Sequence, residues 1–281
     1  DYIAYKFSGN INTTISGLSE GIFWDFKNNE VADFLLTHYG INPSMVPEIV
    51  DTFSQQSFVN EKGAKECGLA VGTPILYRAG DQPNNALSLN VFNPGEVAAT
   101  GGTSGVVYAV SANLSSKESD RINNFAHVNY AKEASPKIGK LLCINGAGIQ
   151  YRWLLNNLQV NSYAEMNDLA NQIAIGSAGL SILPFGNGAE RVFSNKEIGT
   201  RIVNINLNKH HKAHLCRAAL EGIAFSFVYG MEVLMNDGVQ PKLMRAGNDN
   251  LFRSEIFSTT IATLTNQDIE IYNTTGAIGA A

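Results

Sequence analysis

Apolar positions along the chain follow two different periods. A spacing of three to four residues predicts helices over six segments: 32–39, 61–67, 148–158, 162–173, 212–235 and 251–264. Short runs rich in β-branched or other apolar residues predict strands over five others: 74–79, 97–100, 106–110, 242–245 and 268–272. Gly40 and Gly68 stand where the first two helices should end. Strands that alternate with helices indicate the α/β class.

Local signals refine two of these elements. The segment 101–105 (GGTSG) separates two predicted strands. It predicts a hairpin, because glycine readily adopts the positive φ of a tight turn. Ser162 and Glu165 have the spacing of a capping box at the start of a helix.

The composition is that of an ordinary globular protein. Of the 281 residues, 44% are hydrophobic and 16% are charged, which suffices for a sizeable core in one or two domains. Turn signals around Pro83 and Pro94 favour a division within 84–96. We expect domains over 1–88 and 89–281.

Charge and cysteine content narrow the classes of function. The net charge is −5 without a basic patch, so we expect no nucleic-acid partner, and a nucleotide site would depend on local backbone N–H groups and a metal ion. No apolar run of about 18 residues and no signal peptide are present, so we expect no membrane span. Three scattered cysteines match no disulfide or zinc pattern and favour the reducing cytoplasm: Cys67, Cys143 and Cys216.

The two ends of the chain have an unusual appearance. The sequence begins at Asp1 rather than at a methionine, and its last segment, 275–281, resembles the first turn of an unfinished helix. From these ends we expect a piece of a longer protein.

The first candidate site is Gly80-Asp81-Gln82, which follows the predicted strand over 74–79. Ligands of α/β folds bind beyond the carboxyl ends of strands. There the Asp81 carboxylate could take a proton from a substrate hydroxyl, and Gln82 could bind the same substrate. From spacing alone, an aspartate that caps the turn toward Pro83 explains the segment better.

Three further loops have the composition of nucleotide sites. Segment 101–105 offers backbone N–H groups and hydroxyls to a phosphate, although it lacks the ending of a Walker loop and a plain β-turn would look the same. Segment 145–150 places glycines before a helix, where an anion binds well, and segment 246–250 combines a glycine with amide side chains. A helix entry loop and ordinary N-capping explain these last two segments equally well.

A histidine cluster precedes the longest predicted helix. His210 and His214 have i, i+4 spacing, and His211 lies between them. The surroundings are polar and no third ligand motif follows, so a solvated helix start explains the cluster better than zinc does. We therefore expect no metal ligands among the side chains.

The loops, taken in order, resemble those of the FGGY carbohydrate kinases. Segment 79–82 (AGDQ) is similar to the family's catalytic G-D-N/Q segment, and segment 102–106 (GTSGV) is similar to its hairpin. Three other segments resemble its D-Y-L, L-P-F-x-x-G-E-R and E-G-I-A-F motifs: 1–9, 183–191 and 219–225. The resemblance extends over nearly the whole chain, and the combination is specific although each motif alone is weak.

Two features depart from the family pattern. The loop over 246–250 has fewer glycines than the family's adenosine loop, which puts individual nucleotide contacts there in doubt. The family's N-terminal Asp-x-Gly-Thr phosphate motif is absent. Much of the sugar site would be missing together with that motif.

The resemblance implies an actin-like ATPase fold, in which two ribonuclease-H-like domains flank a cleft. This chain would supply the C-terminal domain and the end of the N-terminal domain. Asp81 would be the general base, Asp81 and Gln82 would bind the sugar, and Mg²⁺ would bridge the phosphates of ATP. The nucleotide would contact six residues: Gly102, Thr103, Gly146, Gln150, Gly247 and Asn248.

The expected activity is ATP-dependent phosphorylation of a pentulose. D-xylulose, converted to D-xylulose 5-phosphate, is the favoured substrate because the overall resemblance is greatest to the kinases of that sugar. Kinases of gluconate, glycerol and ribulose share these loops and remain alternatives, as does a non-catalytic module that binds nucleotide or sugar. We expect the chain to be inactive by itself, and a homodimer is left open.

Overall fold

A computed structural model describes residues 1–132 and 135–281. Its helices are α1 (Tyr2–Ser8), α2 (Ile15–Glu20), α3 (Asp33–Tyr39), α4 (Glu61–Cys67), α5 (Asp81–Ser88), α6 (Gly148–Asn157), α7 (Tyr163–Asn171), α8 (Lys212–Asn236), α9 (Glu255–Thr265) and α10 (Gly276–Ala280). Its strands are β1 (Asn12–Thr13), β2 (Trp24–Asp25), β3 (Glu30–Val31), β4 (Glu48–Ile49), β5 (Phe53–Phe58), β6 (Pro74–Tyr77), β7 (Glu96–Gly101), β8 (Gly105–Ser111), β9 (Asn123–Ala126), β10 (Ile138–Ile144), β11 (Ser181–Phe185), β12 (Gly199–Val203), β13 (Leu243–Gly247) and β14 (Ile269–Tyr272).

A mixed sheet with the strand order β14-β13-β7-β8-β10-β9 forms the centre of the fold. β7 and β8 make the predicted antiparallel hairpin, with Gly101 opposite Gly105. β7 also pairs in parallel with β13, where Ala99 lies opposite Ala246, and β10 runs antiparallel to β8. Helices and parallel strands in one sheet confirm the predicted α/β class.

Alternate residues of the central strands face opposite sides of the sheet, as strand geometry requires. Ala99 and Val107 belong to the larger core cluster, which includes Phe227 of α8. Ala98 and Tyr108 belong to a second cluster, which includes Ala86 of α5. Both faces of the sheet are therefore covered by helices.

The long helix α8 is the main element packed against the face of the sheet that carries the larger core cluster. By length and composition it is apolar enough to cross a membrane. However, 72% of its most apolar 18-residue window is buried within the protein. Packing in the core therefore accounts for its apolar character.

Several predicted boundaries are confirmed and others need correction. α3 and α4 end at Gly40 and Gly68, both in the left-handed conformation. The helix predicted over 251–264 is wrong at its start, because a 3-10 turn (Asn250–Arg253) precedes α9 and the extended Ser254 separates the two.

The predicted capping box is only half present. The Ser162 hydroxyl accepts a hydrogen bond from the Glu165 N–H at 3.1 Å. The Glu165 carboxylate instead accepts one from the Asn161 N–H at 2.8 Å, one residue before the N-cap.

A buried ion pair joins β10 to the end of α8. Lys140 Nζ lies 2.5 Å from Asp237 Oδ2, and both side chains are fully buried. Asp237 Oδ1 also accepts hydrogen bonds from the Lys117 and Glu118 N–H groups and from the Ser116 hydroxyl. Although burial alone would raise the pKa of Asp237, the hydrogen bonds from Lys140 and from the 116–118 loop hold it below its usual value.

We predict that Asp237→Ala lowers the free energy of unfolding by about 3 to 5 kcal/mol, because the Lys140 ammonium is left buried without its partner. Denaturant titration measures this loss. Lys140→Met combined with Asp237→Leu removes both charges and is expected to recover part of the stability. An equal loss in the single and the double variant would contradict the assignment.

His127, the residue after β9, has a buried polar side chain. Its Nε2 lies 2.9 Å from the Val91 carbonyl oxygen and its Nδ1 lies 2.9 Å from the Tyr108 hydroxyl. A carbonyl only accepts, so Nε2 carries the proton and the tyrosine hydroxyl donates to Nδ1. The pKa of His127 is lowered to about 4, mainly by burial and in part by the charge of Lys137, while the Val91 carbonyl and Glu96 oppose this shift.

This lowered pKa predicts a loss of stability in acid. The pKa of His127 is about 4 in the folded chain and 6.5 at its ordinary value. The amount by which neutral His127 raises the free energy of unfolding is complete above pH 6.5. It is lost as the pH falls toward 4, by about 3 kcal/mol in total. Unfolding free energies measured across this window should have a shallower slope in His127→Gln than in the wild type. An equal slope in the two proteins would contradict the assignment.

Candidate nucleotide and catalytic site

Three loops meet at one edge of the central sheet. Because β7 and β13 are parallel, the turn over 101–105 and the loop after Gly247 leave the same edge. β10 ends there as well, since Ile144 pairs with Gly105, so the loop over 145–148 is adjacent to the turn. The pairing thus brings together the loops whose order suggested a nucleotide site.

The tip of the β7–β8 hairpin rests on the start of α6. The Gly148 N–H donates to the Gly102 carbonyl at 2.9 Å, and the Ile149 N–H donates to the Thr103 carbonyl at 3.1 Å. A Cβ at residue 148 would lie 2.4 Å from the Gly102 carbonyl oxygen, so this contact requires glycine. Two amides that we expected to face an anion therefore bind the hairpin and hold Thr103 exposed at its tip.

A cavity of roughly 530 Å³ opens beside the hairpin tip. It lies between the hairpin, α6, α7 and the 3-10 turn before α9. Its lining includes Gly102, Leu251 and several polar, aromatic and cationic side chains: Thr103, Tyr151, Arg152, Tyr163, Asn167 and Arg253. This size and mixture suit a polar organic ligand that carries negative charge.

Two of the six predicted nucleotide residues line the cavity. They are Gly102 and Thr103. The other four lie outside that lining in the described part of the chain: Gly146, Gln150, Gly247 and Asn248. Nucleotide contacts by these four residues stay predictions.

Local contacts explain where the other four lie. Gln150 is 6% exposed and accepts a hydrogen bond from the Thr200 hydroxyl at 2.7 Å. Gly146 packs closely under the Pro184 carbonyl. The exposed Asn248 donates its backbone N–H to the carbonyl of residue 272 at 2.7 Å.

The cavity wall formed by α6 and α7 was missed by the sequence reasoning. The rings of Tyr151 and Tyr163 stack with centroids 5.8 Å apart, and the Tyr151 hydroxyl donates to Asn167 Oδ1 at 2.8 Å. Arg152 is exposed on the same wall. The one local signal was the position of Tyr151 and Arg152 within the first turn after the glycine loop, on the side that faces the hairpin.

Asp81 is the first residue of α5 and is exposed. Its Oδ1 accepts the Gln82 backbone N–H at 2.8 Å, and its Oδ2 accepts the Gln82 side-chain amide at 3.2 Å. The carboxylate therefore remains open to a ligand while Gln82 orients it. The predicted strand and the predicted catalytic segment are adjacent, since β6 ends at Tyr77.

Side-chain amides fix α5 to its neighbours. Asn85 Nδ2 donates to the Thr100 hydroxyl of β7 at 3.1 Å. Asn84 Nδ2 donates to the Gly276 carbonyl at 2.5 Å, and Asn84 Oδ1 accepts from the Tyr77 hydroxyl at 3.1 Å. The helix that carries Asp81 is thus tied to the strand that leads into the hairpin.

Cys143, at the end of β10, lies near several charged groups. The pKa of its thiol is raised to about 11, mainly by burial and in part by the charges of Glu190 and Asp81, while Arg191 opposes them. The thiol is therefore protonated at neutral pH and a poor nucleophile.

We predict that alkylation distinguishes two of the cysteines. Iodoacetamide at pH 7.5 should modify the exposed Cys67 much faster than Cys143, because the thiolate is the reactive form. Peptide mass spectrometry over a time course measures both rates. Equal rates in the folded protein would contradict the burial and the charge assigned to Cys143.

The histidines before α8 make local contacts. His210 Nδ1 accepts the Asn206 N–H at 3.0 Å, and His214 Nδ1 accepts the His211 N–H at 3.4 Å. These side chains therefore cap the loop and the first turn of α8. Within residues 1–132 and 135–281, no group of three or more His, Cys, Asp or Glu side chains is arranged to hold a metal ion.

Comparison with known proteins adds to this geometry. No protein-family model matches the chain. It is 24% identical to the xylulose kinase of Staphylococcus xylosus, over 97% of this chain and 57% of that protein. The solved xylulose kinase from Rhodospirillum rubrum matches with a TM-score of 0.85 at 25% identity, over 100% of this chain and 56% of that one. Plasmodium falciparum glycerol kinase with ADP matches with a TM-score of 0.87 at 20% identity, over 99% and 55% of the two chains.

The chain has the fold of the FGGY carbohydrate kinases. The resemblance expected from the ordered loops is thereby confirmed, and xylulose kinases are among the relatives. The actin-like ATPase architecture predicted from it is confirmed as well. The chain spans just over half the length of the curated relatives that it matches.

The contact between the hairpin and α6 yields a steric prediction. Gly148→Ala should lower the free energy of unfolding by about 1 to 3 kcal/mol, because its methyl group would overlap the Gly102 carbonyl. Gly102→Ala is the matched control, since its nearest neighbour would lie 3.7 Å away. Thermal or denaturant unfolding measures both, and equal effects would contradict the close contact at residue 148.

Proposed function

We propose that this chain forms the nucleotide-binding part and the catalytic-base segment of an ATP-dependent sugar kinase. The observation that carries the proposal is the hairpin tip, fixed on α6 beside a cavity of roughly 530 Å³. The relatives named as kinases support the reaction class.

The cavity suits a nucleoside phosphate. Thr103 would contact the phosphates at the hairpin tip, and Arg152 and Arg253 would attract their negative charge. The described cavity lining contains no carboxylate, so Mg²⁺ would be held mainly by the phosphates and water. When bound, Mg²⁺ would neutralise charge on the transferred phosphoryl group.

Asp81 is proposed as the general base. Its carboxylate is exposed at the head of α5 and is oriented by Gln82. Removal of a proton from the sugar hydroxyl by such a group contributes about 10²- to 10⁴-fold to the rate. Gln82 would bind the same sugar through its amide.

D-xylulose is the proposed sugar, with D-xylulose 5-phosphate as the product. Support comes from the relatives in Staphylococcus xylosus and Rhodospirillum rubrum, which are named as xylulose kinases. The structural likeness to a glycerol kinase leaves glycerol as the competing substrate. A panel of xylulose, ribulose, gluconate and glycerol with ATP, followed by ADP release, distinguishes them.

The proposed activity is that of a complete kinase, of which this chain would form part. Because the chain covers just over half of its relatives, we expect it to bind nucleotide but not to complete the transfer by itself. The division into domains over 1–88 and 89–281 also stays a prediction. A binding module without catalysis is the alternative, which the same partial coverage favours.

We predict that the chain binds Mg-ADP and that Thr103→Val weakens this binding about 5- to 10-fold, through loss of a hydroxyl contact to phosphate. Calorimetric titration measures both affinities. Thr73→Val, at an exposed loop, is the control and should bind like the wild type. Unchanged affinity in Thr103→Val would mean that the hairpin tip does not contact the phosphates through Thr103.

In the complete kinase, we predict that Asp81→Ala lowers kcat at least about 10²-fold while the Kd of Mg-ADP stays within about 2-fold. The exposed Asp268→Ala, before β14, is the matched control. Turnover close to that of the wild type in Asp81→Ala would refute the general-base assignment. Retained binding without turnover in the wild type itself would favour the non-catalytic alternative.

A further inference from the structure

A second carboxylate lies against the segment that begins α5. Glu20, the last residue of α2, is sixty residues from Gly80 in sequence and accepts its backbone N–H through Oε1 at 3.1 Å. A Cβ at residue 80 would lie 1.9 Å from Glu20 Oε2. Residue 80 must therefore be glycine for Glu20 to occupy this position.

The contact does for α5 what a capping box does locally. In a capping box, the side chain at position N3 accepts the N–H of the N-cap residue. Gly80 is the N-cap of α5, and its N3 residue is Pro83, which has no side-chain acceptor. Glu20 supplies the missing acceptor from another part of the chain.

The electrostatic environment of Glu20 is unfavourable. Burial raises the pKa of Glu20, the charge of Asp81 raises it further, and the hydrogen bond from Gly80 opposes these effects. Tyr77 is on the adjoining strand, and its pKa is raised by burial and then by Glu20. None of the ion pairs in the described residues includes Glu20.

A half-buried carboxylate without a cationic partner, next to a second carboxylate, costs free energy. Carboxylates perturbed in this way cluster at functional sites. Packing alone would be served as well by a side chain at residue 20 that has no hydrogen-bond acceptor. Glu20 contacts the residue before the exposed Asp81, so the site concerned is that of Asp81.

We propose that Glu20 is a positioning residue for Asp81: by holding the Gly80 N–H it sets the first turn of α5 and the direction in which the Asp81 carboxylate faces its substrate. The inference rests on the proposed kinase function. Glu20 itself makes no contact with the reacting atoms in this assignment.

Three variants of the complete kinase test the role. Glu20→Ala should lower kcat about 10- to 100-fold, because a shift of about 1 Å in a catalytic group has an effect of this size. The Kd of Mg-ADP should stay unchanged. Glu20→Gln should restore much of kcat, since its amide oxygen accepts the same N–H group. The exposed Glu66→Ala is the control and should match the wild type.

A double-mutant cycle links the two residues directly. Gly80→Ala should lower kcat at least about 10-fold by itself, because its methyl group meets the Glu20 carboxylate. In the Glu20→Ala background the space is vacant, and the same change should add less than about 3-fold. Unfolding free energies of the four proteins should show the same coupling independently of turnover.

The outcomes separate the two claims. If the wild-type kinase phosphorylates none of the sugars, the proposed function fails and the positioning role fails with it. If the wild type turns over but Glu20→Ala does too, or Gly80→Ala is equally harmful in both backgrounds, only the positioning role is overturned. A Glu20→Gln variant as impaired as Glu20→Ala would also overturn it, because the hydrogen bond would then be irrelevant.

Discussion

The parallel pairing of β7 with β13 is the constraint on which the candidate site depends. Parallel strands end at the same edge of a sheet, so the hairpin tip and the loop after Gly247 become neighbours. β10, which runs antiparallel to β8, adds a third loop at that edge. The fold thereby assembles one concave region from segments that are remote in sequence, and α6 closes it by binding the hairpin carbonyls.

The buried side chains of Asp237, Lys140 and His127 beside this sheet have hydrogen-bond partners, which keeps the frame rigid. Asp237 ties Lys140 of β10 to the loop over 116–118, and His127 joins Tyr108 to the backbone of residue 91. Each network is satisfied in one geometry only, so it specifies how the strands and their flanking segments fit together. The site lies at the end of this frame and not on independent loops.

Local patterns in the sequence predicted much of this architecture. The hairpin, the glycine-terminated helices α3 and α4 and the order of the loops all depend on residues close together in the chain. What could not be predicted depends on long-range contact: the tyrosine wall of the cavity, the burial of Gln150 against Thr200, and the carboxylate of Glu20 behind Gly80. No local periodicity records such pairings.

The long-range pairing of β7 also bears on how the chain folds. The β7–β8 hairpin is local and can form early, whereas β13 reaches β7 only after about half the chain has been closed into a loop, a slow step of high contact order. A partly folded chain would thus have the hairpin without its cavity. A ligand that binds only the assembled cavity would therefore shift the folding equilibrium of the whole sheet toward the native state by mass action. Binding at this one site would raise the free energy of global unfolding.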